Sequence, residues 1–295
     1  MPTHSLVFQS NGAGLIMYDI RLQPEQVSQF CRDGVLILRS AYNVTDIEAI
    51  QRSIYEVIGR VMQRHGIADT REPFTPERFD DGYNALVLKS RELGSEVYDA
   101  VKQLPAFIRL LSHPIHESVM RQLRSGSHPG IAAGGYGIRI DNPNEDRFRA
   151  QWHQEYPAQL RSLNGLVFWS SLVPITEALG PVEFCVGSHV EGPLPVSGAG
   201  NNSTRKGAYT LMLHNEAYYL SKYRHIAPIC EPGDLVVIDF LVLHSSGKNR
   251  SDRSRWSMQF RYFDFSEPVG MSHGWKGSFA AGVDFREIHP ELYIG

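Results

Sequence analysis

The sequence predicts an α+β chain in which helices from the amino-terminal half buttress one mainly β core. Apolar residues recur at helical spacing up to about residue 130. From about Gly134 they give way to short apolar or alternating runs between Gly, Pro, Asn and Asp turn signals. No linker divides the two textures, so the 295 residues read as one domain: helical scaffold to about 130, β core over about 134–265, and a tail over 266–295.

The first element is Pro24 to Gly34, where Val27, Phe30 and Cys31 fall at i, i+3, i+4 behind an N1-type proline and before a closing glycine. Val35 to Leu38 reads as a buried strand. Thr45 to His65 follows as a longer helix, with Ile47, Ile50, Ile54, Val57, Ile58 and Val61 in one stripe. Residues 66 to 95 are polar and proline-containing, whereas Val101 to Leu123 is again helical, interrupted around Pro114. Gly134, Gly135 and Gly137 form a strand-entry bend. The strand runs are Tyr136 to Ile140, Gly165 to Val173, Val182 to Val186, Leu235 to Phe240 and Trp256 to Phe263. Pro193 to Gly207, rich in Gly, Asn and Ser, reads as a surface loop or lid.

Composition is ordinary for a globular chain, with 42% hydrophobic and 21% charged residues. Lys plus Arg is 29 against 32 for Asp plus Glu, so no overall positive field draws nucleic acid or an anionic membrane, and a small-molecule partner is favoured. No segment reaches ~18 consecutive apolar residues, and Met1 to Asn11 has no basic region followed by an apolar one, so neither spanning nor export is expected. Cys31, Cys185 and Cys230 lie far apart without C-x-x-C spacing, which argues against a disulfide framework or thiolate zinc site and for a reducing, cytoplasmic setting.

Four His-x-Glu pairs offer imidazole and carboxylate together, at His153, His189, His214 and His289. In a strand, residues i and i+2 share a face, so such a pair could share a metal. His289 has no histidine after it to complete a set. His189 sits between glycines and a proline and orders its loop. His214 precedes His244 by 30 residues, too few for the intervening strands of a jelly roll, whereas His153 precedes it by 91. Glu231 to His244 reads as a turn, a buried strand, a bend near Phe240 and a second short strand ending in the histidine. Arg255 to Tyr262 then alternates strictly, with Arg255, Ser257, Gln259 and Arg261 on one face and Trp256, Met258, Phe260 and Tyr262 on the other. The first row reads as a polar interior. An arginine there offers a planar fork to a carboxylate such as that of a cosubstrate.

The chain resembles the phytanoyl-CoA dioxygenase family of Fe(II)- and 2-oxoglutarate-dependent oxygenases, from Gln26-Val-Ser-Gln-Phe-Cys-Arg-Asp-Gly-Val-Leu-Ile-Leu38 to the strand ending at Tyr262. The resemblance rests on Trp-His153-Gln-Glu155, Phe168-Trp-Ser-Ser, the run from Gly180 to His189, Gly233-Asp-Leu-Val-Val-Ile-Asp, and His244 followed eleven residues later by Arg255. It implies His153, Glu155 and His244 as the iron ligands, Arg255 as the clamp on the distal carboxylate of 2-oxoglutarate, and Ser246 and Trp169 as supporting contacts. Lys89 is a further cosubstrate candidate. The implied fold is a double-stranded β-helix, a jelly roll whose larger sheet carries the amino-terminal helices. The implied reaction consumes 2-oxoglutarate and O2, releases succinate and CO2, and hydroxylates an unactivated C–H bond of a small molecule. One departure stands out: the family usually has Asp where this chain has Glu155, whose additional methylene carries the carboxylate about one bond further out.

Blander readings are hydrogen-bonded core histidines for His153 and His244, a surface ion pair for Arg255 and core packing for Trp169. Ser-His-Asp hydrolysis lacks a nucleophile elbow. Rival functions that keep the same residues are a cupin-like metal-binding or sensing protein without 2-oxoglutarate turnover, and a zinc hydrolase whose activity survives without O2.

Overall fold

The computed structural model describes residues 20–198, 211–277 and 284–295. Part of the expected loop between Pro193 and Gly207, from residue 199 onward, lies outside the described residues, as does Met1 to Asn11.

Helix α1 (Pro24–Asp33) starts at its proline and stops at Gly34, whose φ of 70° is the left-handed cap that favours glycine. A Cβ at Gly34 would lie 2.2 Å from Val242, so the chain also needs the bare backbone there to pack. Strand β1 (Val35–Leu38) and helix α2 (Val44–Arg64) follow, and the stripe from Ile47 to Val61 is the buried face of α2.

The polar stretch contains more order than its composition suggests. Helices α3 (Tyr83–Lys89) and α4 (Arg91–Val101) occupy it, with Tyr83, Leu86, Leu93, Val97 and Val101 buried. Ser90 caps α4 by accepting from the Glu92 amide. Pro114 opens a helix rather than interrupting one: α5 (Pro105–Leu111) and α6 (Pro114–Leu123) each begin on proline, where the missing N–H costs nothing.

Strands β2 (Pro129–Ile131) and β3 (Gly137–Asp141) lead through a short helix, α7 (Tyr156–Gln159), to β4 (Leu166–Ser171) and β5 (Val182–Val186). Then come β6 (Val196–Gly198), β7 (Leu211–Leu213), α8 (Glu216–Lys222), β8 (Arg224–Ile226), β9 (Leu235–Asp239), β10 (His244–Ser246) and β11 (Arg255–Asp264). The segment expected as a tail is built in: it forms α9 (Pro268–Ser272), α10 (Phe285–Ile288) and β12 (Tyr293–Ile294), and Phe285 is buried.

The largest sheet runs β1-β9-β4-β11-β2, with β3 also beside β11, all antiparallel. Its register sets Phe168 opposite Phe260 and Trp169 opposite both Gln259 and Val236. A second antiparallel sheet, β10-β5-β8, pairs His244 with Phe184. A third joins β6 to antiparallel β7 and parallel β12.

Strand β11 decides where the core sits. Trp256, Met258, Phe260 and Tyr262 are buried against the amino-terminal helices. Phe79 and Tyr83 pack edge-on to Trp256, and Phe107 and His116 lie against Phe260. His116 is a satisfied core histidine, with Nε2 2.6 Å from the Tyr42 hydroxyl and Nδ1 3.1 Å from the Leu111 carbonyl. The opposite row of β11 faces away from the helices and lines the site described next.

Candidate metal centre

His153 and His244 exchange two backbone hydrogen bonds, His153 N to His244 O at 3.1 Å and the reverse at 3.0 Å. This isolated bridge, rather than a strand, carries the first pair. Glu155 already has helical backbone angles, φ −71° and ψ −32°, at the start of α7, and its amide donates to Phe240 O at 2.9 Å. The expected strand is therefore a bridge followed by a helix start, as Pro157 in the first turn of α7 signals. His244 opens β10 instead of ending a strand. The reason is the turn before it, where Asp239 Oδ1 accepts from the Leu241 amide at 2.7 Å and Asp239 O from Val242 at 3.1 Å.

His153, Glu155 and His244 each bring a ligand atom within 4.8 Å of the others. The histidine Nδ1 atoms face carbonyl oxygens, Gln151 O at 2.6 Å and Val242 O at 3.0 Å. A carbonyl can only accept, so each Nδ1 carries the proton and each Nε2 keeps its lone pair for a metal. Two neutral imidazoles and one carboxylate form the donor set of a facial triad, which suits divalent iron.

Burial holds the His244 imidazole down at about 3, with neighbouring His153 adding to the effect, and burial lowers His153 as well. Burial also disfavours the Glu155 anion, but Arg261 and then the two histidines outweigh it and bring the carboxyl down to about 2. Arg261 forks this carboxylate, Nε to Oε1 at 2.6 Å and Nη2 to Oε2 at 3.2 Å.

These shifts fix a pH dependence. The folded histidines titrate below the unfolded value of about 6.5, so below that pH the unfolded chain takes up protons that the folded chain refuses. Buried His116, also held at about 3, acts in the same direction. The metal-free protein should lose stability as pH falls from about 6.5, by up to ~1.4 kcal/mol per pH unit for each such histidine. Urea midpoints at about pH 7 and about pH 5 check this, and a midpoint that holds or rises contradicts buried neutral rings.

The triad opens onto a cavity whose wall includes Arg255, Ser257, Gln259 and Arg261 from β11, together with Ser246 and Trp169. Arg255 is buried, with Nη2 2.8 Å from Asp141 Oδ2 and Nη1 donating to Gly180 O, while Nε has no partner. Arg139 on β3, a residue that sequence reasoning passed over, faces the same cavity and grips Asp141 at 2.8 Å. The available signal was alternation: Gly137, Arg139 and Asp141 form a polar row in β3 as Arg255 to Arg261 do in β11. Burial opposes the Asp141 anion, but Arg139 and Arg255 prevail and hold its carboxyl at about 2.

A second cavity shares His153, Glu155 and Arg261, and its lining also includes Trp152, Val196, Met212 and Leu213. Lys89 does not belong to either. It is exposed at the end of α3, a helix that packs inward through Tyr83 and Leu86. His189 Nε2 meets Cys31 O at 3.1 Å and ties its loop to α1. His289 bonds Tyr156 and Glu291, and neither it nor His214 joins the metal cluster.

A family model for phytanoyl-CoA dioxygenase matches residues 30–257. No curated protein matches the chain in sequence. Among solved structures it is similar to EctD from S. alaskensis with 2-oxoglutarate and 5-hydroxyectoine, at 17% identity and TM-score 0.56 over 88% of this chain and 83% of that one. EctD with bound Fe matches at 16% identity and TM-score 0.55, over 96% and 90% of the two chains. SnoK, a non-heme alpha ketoglutarate dependent carbocyclase from nogalamycin biosynthesis, matches at 17% identity and TM-score 0.53, over 82% and 84%. These likenesses speak to the fold, and the family match spans most of the sequence, including His153, Glu155, His244 and Arg255. The chain thus belongs to the phytanoyl-CoA dioxygenase family and is an enzyme of the oxidoreductase class.

Proposed function

We propose that this chain is an Fe(II)- and 2-oxoglutarate-dependent dioxygenase that hydroxylates an unactivated C–H bond of a small molecule, with release of succinate and CO2. The observation that carries the reading is the set His153, Glu155 and His244 gathered at a cavity whose wall holds buried Arg255. EctD, which shares the fold, has been crystallised with Fe and with 2-oxoglutarate. In this reading the larger sheet and the β10-β5-β8 sheet are the two walls of a double-stranded β-helix, and the whole chain is one domain.

His153, Glu155 and His244 hold the iron. When bound, iron with 2-oxoglutarate supplies the oxidising power drawn from O2. Arg255 meets the distal carboxylate of the cosubstrate, its unpartnered Nε being a buried donor on the cavity wall. Ser246 offers a hydroxyl and Trp169 a flat apolar surface to the same molecule. Trp152, Val196, Met212 and Leu213 give the second cavity an apolar wall for the body of the prime substrate, next to the same metal ligands. Among the described residues no helix is long and apolar enough to cross a membrane. All three cysteines are free thiols, which accords with a cytoplasmic setting.

The test is iron-dependent formation of succinate from 2-oxoglutarate under O2, with one oxygen atom from O2 found in the product of a stimulating compound. Metal and 2-oxoglutarate binding without any succinate would favour the sensing reading. Hydrolysis that persists with zinc in the absence of O2 would favour the hydrolase.

A further inference from the structure

Arg261 carries its neighbours' hydrogen bonds in an unusual allocation. Besides forking Glu155, its Nη2 donates to Gln259 Oε1 at 2.7 Å and its Nη1 to Gly135 O at 3.0 Å. Every nitrogen of the guanidinium is engaged, so the side chain is not poised to swing toward an incoming carboxylate. Its partner is the one residue that departs from the family pattern. Glu155 has one more rotatable bond than Asp, and a carboxylate on that longer stem samples more orientations unless something anchors it. Each carboxylate oxygen has two acceptor positions, and Arg261 takes one on each. Oε2 lies 3.9 Å from His244 Nε2, so a free position remains beside the histidines.

We propose that Arg261 is a positioning residue for Glu155, holding the longer carboxylate from behind so that an oxygen is presented to the Nε2 atoms of the two histidines. The inference rests on the reading of His153, Glu155 and His244 as metal ligands. Charge and geometry predict opposite signs here. The guanidinium repels a divalent cation, so a purely electrostatic role means that removing it tightens metal binding. A positioning role means that removing it weakens metal binding, because Glu155 must then be ordered at the expense of the metal.

The experiment is anaerobic titration of the metal-free full chain with Fe(II), read as affinity. Arg261→Met should lower Fe(II) affinity by about ten- to a hundredfold, the usual cost of removing a group that orients a ligand. Arg261→Lys should restore only part of it, since an ammonium cannot fork. In the Glu155→Asp background the shorter side chain no longer reaches Arg261, and Arg261→Met should then change Fe(II) affinity by less than about threefold, a coupling that a merely structural role would not show. Parent-like or tighter binding in Arg261→Met, full rescue by Arg261→Lys, or an equal loss in both backgrounds overturns the proposal. So does a loss of 2-oxoglutarate affinity with Fe(II) affinity intact, which would make Arg261 a cosubstrate contact. Should Arg261→Met fail to fold, Gln259→Met decides: it keeps the ion pair, releases the second N–H of Nη2 from its partner and so loosens the fork, and should weaken Fe(II) binding severalfold, whereas unchanged affinity there overturns the idea. His153→Ala separates the two levels. If it retains iron, the triad reading fails; if it loses iron while Arg261→Met keeps it, only the positioning role fails.

Discussion

His244→Ala is expected to empty the metal centre, with purified protein passing from one iron per chain to almost none and all oxidative turnover lost. The ring it removes is buried, with its Nδ1 already fixed by Val242 O at 3.0 Å, so it delivers Nε2 to the site in a set orientation. What remains is His153 and a carboxylate tied to Arg261, and two ligands hold Fe(II) weakly. His153→Ala should do the same, since the two histidines face each other across one bridge with ring centroids 4.3 Å apart. His214→Ala supplies the contrast and should retain iron. Iron content at the parent level in either triad variant would sink the assignment.

Arg255→Ala should raise the requirement for 2-oxoglutarate by one to several powers of ten, given about 2–5 kcal/mol for breaking a desolvated charge pair. The structure adds a condition. Nη2 of Arg255 is held by Asp141 and Nη1 by the Gly180 carbonyl, which lock the guanidinium plane and leave Nε as the uncommitted donor. Asp141→Asn should therefore weaken 2-oxoglutarate binding too, by loosening that plane, though less than loss of the arginine itself. Arg255→Lys should restore binding only in part, since one ammonium cannot bond Asp141 and the Gly180 carbonyl in the guanidinium's plane and still present a donor to the cosubstrate. If Arg255→Ala binds 2-oxoglutarate as the parent does, the clamp lies elsewhere, and Arg139, which meets Asp141 from β3, becomes the candidate.

Much of this site was legible because it obeys periodicity. The alternation of Arg255 to Tyr262 separates cavity from core in β11, and the 91-residue interval between His153 and His244 is long enough for the strands that bring them together. The helical stripe of α2 was equally plain. What escaped had no local signature. α3 and α4 lie in polar sequence, and their buried faces are narrow, so composition concealed them. The bridge at His153 has no strand period because one pair of hydrogen bonds holds it to His244. Above all, the fork between Arg261 and Glu155 joins residues 106 positions apart. Reading it requires the offset of β11 against the start of α7, which no run of neighbouring residues encodes. The alternation places Arg255 and Arg261 on one face without naming their partners; the structure gives one to Asp141 and the other to Glu155.

Strand β11 has a consequence for how this chain can change over time. Its first eight residues, Arg255 to Tyr262, serve two masters in strict alternation, aromatic and methionine side chains for the helices on one side, arginine, serine and glutamine for the cavity on the other. A single inserted or deleted residue at its start would turn every later side chain through the sheet, sending guanidinium groups into the helical core and rings into the cavity. Point substitutions can explore either row separately, but changes of length in this strand are open only in steps of two, or where a bulge absorbs the odd residue.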